Sequence, residues 1–108
     1  MRPESLKNKS DFDRAFNNGI RYQGELLTAI IAKGLGTTKL GIIVNCKFGG
    51  AVARNKVKRL IREAFRDMKG KIHNTAEFVI IPKGKAEKAK TQEILKDLSN
   101  IIRRADIK

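Results

Sequence analysis

Apolar residues recur along this chain with two periods, and the changes of period fall near glycines. The most regular stretch is 52–69, where Val57, Leu60, Ile61, Ala64, Phe65 and Met68 repeat at helical intervals. Side chains three and four apart share a helix face, so the spacing predicts an amphipathic helix ended by Gly70. A second stripe, Ile94, Leu95, Leu98, Ile101 and Ile102, predicts a final helix with Thr91 as its cap. Phe12, Ala15 and Phe16 predict a short first helix over 10–18, capped by Ser10 with Asp13 three residues on and closed by Gly19.

Between the helices the pattern is extended. Residues 20–33 hold Leu26, Leu27, Ala29, Ile30 and Ile31, and Leu40 to Val44 form a second apolar run after a turn at Gly34 to Thr38. Two such runs around a glycine turn predict a hairpin of 26–33 with 39–46. Phe78 to Ile81 is a third buried strand, stopped at Pro82, which is read as closing an edge-accessible strand. The segment 83–90, KGKAEKAK, is a basic loop or helix lead-in, and residues 1–9 a polar, basic, partly ordered arm. No repeat and no dividing linker interrupts residues 1–108, which read as a single α+β domain. Its order is helix, strands, helix, strand, helix, with the helices packed on a sheet.

Composition changes this picture in one respect. Apolar residues are 41% of the 108, ordinary for a globular protein, but 24 Lys and Arg stand against 11 Asp and Glu, a net charge of +13. A globular domain this basic is expected to meet a polyanion. One cysteine, Cys46, excludes an internal disulfide, and one Cys with one His, His73, excludes a structural zinc site. No apolar run is long enough to span a bilayer and the N-terminus has no signal core, so a soluble, cytoplasmic protein is expected.

The basic residues concentrate in the long helix. Arg54, Lys58, Arg62 and Arg66 form an i, i+4 ladder with Arg59 beside it, and Glu63 is the one acid of 53–66, within reach of Arg59 and Arg66. The ladder is expected to lie exposed, opposite the apolar stripe. Like charges at this spacing destabilise an isolated helix, which phosphates lying across the row would offset. Arginine suits that task because its fork binds phosphate bidentately. Asn55 and Lys56 add further donors near the helix start. A solvated charged face is the plain alternative. A DNA recognition helix fits less well, because strand and glycine loop precede this helix where a helix pair is needed. Membrane docking fits poorly because the apolar face is needed for the core.

The run Lys47-Phe48-Gly49, Ala51 and Arg54-Asn55-Lys56-Val57-Lys58-Arg59-Leu60-Ile61-Arg62-Glu63 resembles the signature of the bacterial ribonuclease P protein subunit. Asp11-Phe12 with Phe16 and Gly19, the Phe78–Pro82 strand and the last helix also fall where that family has them. The resemblance implies an α/β sandwich with a central mixed sheet, related to a domain of a small-subunit ribosomal protein, with a left-handed βαβ crossover against the usual rule. It implies binding to ribonuclease P RNA and to the 5′ leader of precursor tRNA. It further implies help in the magnesium-dependent endonucleolytic removal of that leader. The RNA would hold the magnesium and the catalytic centre, so no catalytic or metal-binding residue is expected here. No membrane and no further protein partner is implied.

Carried over residue by residue, the resemblance assigns Arg54, Asn55, Lys56, Lys58, Arg59, Arg62 and, by extension of the ladder, Arg66 to the catalytic RNA. It assigns Phe12, Phe16 and Lys47 to the leader. Aromatic rings hold unpaired bases by stacking; core packing is the alternative for both rings. The chain departs from the family pattern at Ile30, where an aromatic is usual, and at Asn45-Cys46, where further basic residues are usual. Tyr22 is a candidate replacement ring. Cys46 reads as a small strand residue, His73 as solvated, and Lys83, Lys85, Lys88 and Lys90 as either phosphate contacts or solubilising charge. A structural RNA-binding protein of ribosomal type shares the composition, and the spacing of 47–63 separates the two.

Overall fold

The computed structural model describes residues 4–5, 9–33, 38–45, 48–68 and 76–105. The elements in chain order are β1 (Glu4–Ser5), α1 (Lys9–Asn18), β2 (Ile20–Gln23), β3 (Leu27–Lys33), β4 (Lys39–Ile42), α2 (Ala51–Met68), β5 (Ala76–Pro82) and α3 (Thr91–Ala105), with a 3-10 turn at Gly84–Lys88. The strands form one mixed sheet in the order β1-β4-β5-β3-β2. β1 and β5 run parallel to β4, while β3 runs antiparallel to β5 and β2.

The expected hairpin of 26–33 with 39–46 does not form. β3 pairs instead with β5, with Ile31 opposite Phe78, and β5 in turn pairs with β4, with Leu40 opposite Phe78. β5 is apolar on both faces, Phe78 and Ile80 on one and Val79 and Ile81 on the other, so it is most stable where both faces are covered. The more polar β2, with Arg21 and Gln23, is left at the edge and makes the tight hairpin with β3 through residues 24–26. Pro82 therefore ends a central strand rather than an edge-accessible one. It is the last residue of β5, opposite Leu27, and the following bond runs from the Lys83 N–H to the Leu26 carbonyl at 2.8 Å. Within the arm, Glu4–Ser5 extends the sheet beside Lys39 and Leu40.

Two cores flank the sheet. On one face α2 and α3 bury Val57, Leu60, Ile61, Ala64, Phe65 and Met68 with Ile94, Leu98, Ile101 and Ile102 against Leu27, Ile31, Phe78 and Ile80. Phe65 meets Phe78 edge to face, with ring centroids 4.9 Å apart. On the other face, among the described residues, α1 covers the sheet, through Ala15 and Phe12 against Ile30 and Val79. α1 begins at Lys9, so Ser10 lies inside it and not at its cap. Gly19 closes the helix with its N–H on the Ala15 carbonyl at 2.8 Å. A Cβ there would stand 2.7 Å from the Ile30 side chain, so only glycine lets the chain turn this close to the sheet.

α3 also starts differently from the expectation. Thr91 is its first residue and donates to Glu63 at 3.4 Å, while the Lys90 N–H is capped by the Glu93 carboxylate at 3.0 Å, half of a capping box. The basic segment before it is a 3-10 turn that buries Ala86 and Ala89.

Candidate RNA-binding surface

α2 starts where the Gly50 carbonyl accepts the Arg54 N–H at 3.0 Å. Its first turn carries no acid, and Arg66 in its last turn faces the negative end of the helix dipole. The six apolar residues expected in the stripe are all buried.

The ladder is not uniformly exposed. An i, i+4 step advances about 40° around a helix of 3.6 residues per turn, so four such residues spiral across the surface. Arg54 sits at the edge of the buried face, half-buried, with its Nε enclosed and without a hydrogen-bond partner. Lys58 is also half-buried, and Arg62 and Arg66 emerge fully. The residues that share the outward face are Asn55, Arg59, Arg62 and Arg66, with Lys56 on its flank, all exposed. Glu63 lies 3.9 Å from Arg59 and turns its other oxygen to Thr91, so it does not reach Arg66 as expected. Lys56, Lys58, Arg62 and Arg66 have no ion pair among the described residues, and the outward face stays strongly cationic.

A second surface lies on the α1 side of the sheet. Phe12 is half-buried and packs on the cluster of Ala15, Ile30 and Val79 together with Ile43 and Ile81. Phe16, one turn further on, stands outside that cluster and is 41% exposed. Phe12 thus serves packing, whereas the Phe16 ring is free to take a stacked base. Ile43 belongs to the α1 side, and the Asn45 carbonyl accepts the Phe48 N–H at 2.9 Å shortly before α2. Ile30 lies on the α1 face beneath Gly19. Tyr22 packs on the α2–α3 core, the opposite side, and so does not replace the missing ring there. Lys47, Cys46, His73 and the Gly70 helix end lie outside the described residues.

The lysines of 83–90 divide. Lys83 is half-buried and donates to the Gly24 carbonyl at 2.7 Å, a structural role, whereas Lys85, Lys88 and Lys90 are exposed.

Two buried carboxylates escaped the sequence reading. Asp97 on α3 accepts the N–H groups of Glu25, Leu26 and Leu27 at 2.9, 3.1 and 2.9 Å, holding the β2–β3 turn. Glu77 on β5 binds Arg14 of α1 at 2.6 and 3.4 Å. Both carried a signal. Asp97 falls on the apolar stripe three residues after Ile94, and Glu77 stands second in an otherwise apolar strand. A charge at a core position implies a specific partner.

No described helix is long and apolar enough to cross a membrane. Among the described residues no three His, Cys, Asp or Glu side chains are grouped as metal ligands.

Comparison with known proteins shows the family of the chain. The family model described as Ribonuclease P matches residues 1–106. The ribonuclease P protein component of Thermotoga petrophila is 42% identical over 85 residues, spanning 78% of this chain and 73% of the relative. The solved ribonuclease P protein of Thermotoga maritima is 35% identical, with a TM-score of 0.82 over 94% of this chain and 96% of that one. That of Staphylococcus aureus is 28% identical, with a TM-score of 0.83 and 95% of each chain covered.

Proposed function

The chain belongs to the bacterial ribonuclease P protein family, and from that membership we propose that it is the protein subunit that helps a catalytic RNA remove the 5′ leader of precursor tRNA. The observation that carries the reading is the outward face of α2, where Asn55, Lys56, Arg59, Arg62 and Arg66 are exposed and, among the described residues, Arg59 alone of these cations is ion-paired, to Glu63. Guanidinium groups one turn apart match successive phosphates, and counterion release gives such a row much of its affinity. Arg54 and Lys58, half-buried at its border, supply charge from the flank.

The leader lies along the α1 side of the sheet in this reading. Phe16 stacks on an unpaired base, Phe12 forms the floor behind it, and Lys47 neutralises a leader phosphate. The protein's contribution is to bind and orient, which converts loosely held substrate into positioned substrate. Among the described residues the outward face of α2 does not fit a divalent cation, because it offers ammonium and guanidinium groups where magnesium requires clustered oxygen ligands. Magnesium and the bond-breaking step are accordingly assigned to the RNA.

The deciding experiment is precursor-tRNA cleavage by a bacterial ribonuclease P RNA at magnesium too low for the RNA alone. Added protein is expected to restore cleavage at the mature 5′ end. Tight RNA binding without restored cleavage, across several partner RNAs, would instead make this a structural RNA-binding protein.

A further inference from the structure

Glu77 is 1% exposed in the central strand, on the sheet face covered by α1. Its cross-strand neighbours are Ala32 on β3 and Lys39 on β4, and Lys39 makes no ion pair with it. The bonds come from Arg14, whose Nη2 lies 2.6 Å and Nε 3.4 Å from the two carboxylate oxygens. Glu77 is buried while the Arg14 side chain stays 44% exposed, so solvent screening limits what the pair adds to stability and its value lies in what it orients.

The geometry of α1 shows what that is. At about 100° per residue, Arg14 and Phe16 project from opposite flanks of the helix, with Ala15 between them facing the sheet. Ala15 is fully buried on Ile30 and Val79. The Ala15 methyl permits close approach but interlocks little, and Phe12, packed on the same cluster, braces the helix from one flank only. Gly19 fixes the end of the helix against Ile30 without fixing that roll. The two-bond fork from Arg14 to an immobile carboxylate does fix it, and the opposite flank is the one that holds Phe12 and Phe16.

We propose that the Arg14–Glu77 pair is a positioning clamp that sets the roll of α1 and thereby presents Phe16 to the single-stranded leader. This rests on the leader-binding reading above and names two residues outside the signature helix as determinants of leader affinity.

The test uses holoenzyme reconstituted with a bacterial ribonuclease P RNA. Affinity is measured for precursor tRNA and for the same tRNA without its leader, and their ratio is the readout. Thermal unfolding of each protein and its affinity for the catalytic RNA are measured alongside. The double variant Arg14→Met with Glu77→Met replaces the clamp by apolar packing. It is expected to fold and bind the RNA as before but to lose roughly tenfold in the ratio, about the worth of one stacked base. Glu77→Gln, which keeps the shape and removes the charge, is the second variant, expected to shift the ratio in the same direction if the double variant fails to fold. Phe16→Ala separates the two levels of argument. A ratio lowered by Phe16→Ala but unchanged in the clamp variants overturns the clamp and leaves the leader reading standing. A ratio unchanged in all of them overturns both. Equal loss of affinity for tRNA with and without leader would make the pair merely structural and also overturn the proposal.

Discussion

Single residues decide how the β2–β3 turn is held. The Asp97 carboxylate accepts three consecutive backbone N–H groups that would otherwise be lost at a turn beside the core. Asn offers one acceptor oxygen where Asp offers two, and turns an N–H toward a donor. Asp97→Asn is therefore expected to destabilise the fold by about 1–3 kcal/mol, the cost of unsatisfied buried groups. Urea unfolding checks this, and an unchanged midpoint would mean the carboxylate is dispensable. Gly24 belongs to the same device. A Cβ there would collide with the Asp97 oxygens, so Gly24→Ala is expected to weaken the fold through the same contact. In the double variant with Asp97→Ala the two losses should fall short of additive, as for residues in direct contact.

At the scale of the element, α2 divides one sequence run into two jobs. Its buried stripe is set by periodicity, and its outward face by what periodicity leaves over. Because the i, i+4 ladder spirals, Arg54 and Lys58 have less reach than Arg59, Arg62 and Arg66. Replacing Arg59 and Arg62 together by Ala is expected to weaken binding to the catalytic RNA and lower the salt slope by about two. Filter binding across a salt series measures both, and an unchanged slope in a folded protein would remove these side chains from the phosphate contact. Replacing Glu63 by Gln frees Arg59 of an exposed pair worth about 0.3–0.5 kcal/mol. It is expected to strengthen RNA binding slightly while leaving the melting temperature almost in place.

For the whole molecule, the two sheet faces differ in how completely they are covered. α2 and α3 seal one face, whereas among the described residues one helix, α1, lies on the other and leaves Phe16 partly in solvent. The two faces should therefore answer differently to the same substitution. Phe65→Ala, in the sealed core against Phe78, is expected to cost about 3–5 kcal/mol. Phe16→Ala is expected to cost about 0.5 kcal/mol or less and to act instead on leader affinity. Denaturant unfolding compares them directly, and a large loss at Phe16 would return that ring to the core.

The local sequence determined a good part of this. The buried stripes of α2 and α3 followed from apolar spacing, because a helix face is a local property of residues three and four apart. The cationic run lies within α2 and the family signature is local to residues 47–63, so they too were legible. Strand order was not. The runs at β3 and β4 are consecutive in sequence, yet β5 lies between them, where its two apolar faces are covered from both sides of the sheet. The partners of Glu77 and Asp97 were hidden for a related reason. Each carboxylate was visible as a charge out of place, but its partners stand 63 and 70–72 positions away in the chain. Helix periodicity is written within a few residues, whereas strand order and the pairing of buried charges depend on which distant surfaces pack together, and the tertiary structure alone decided those.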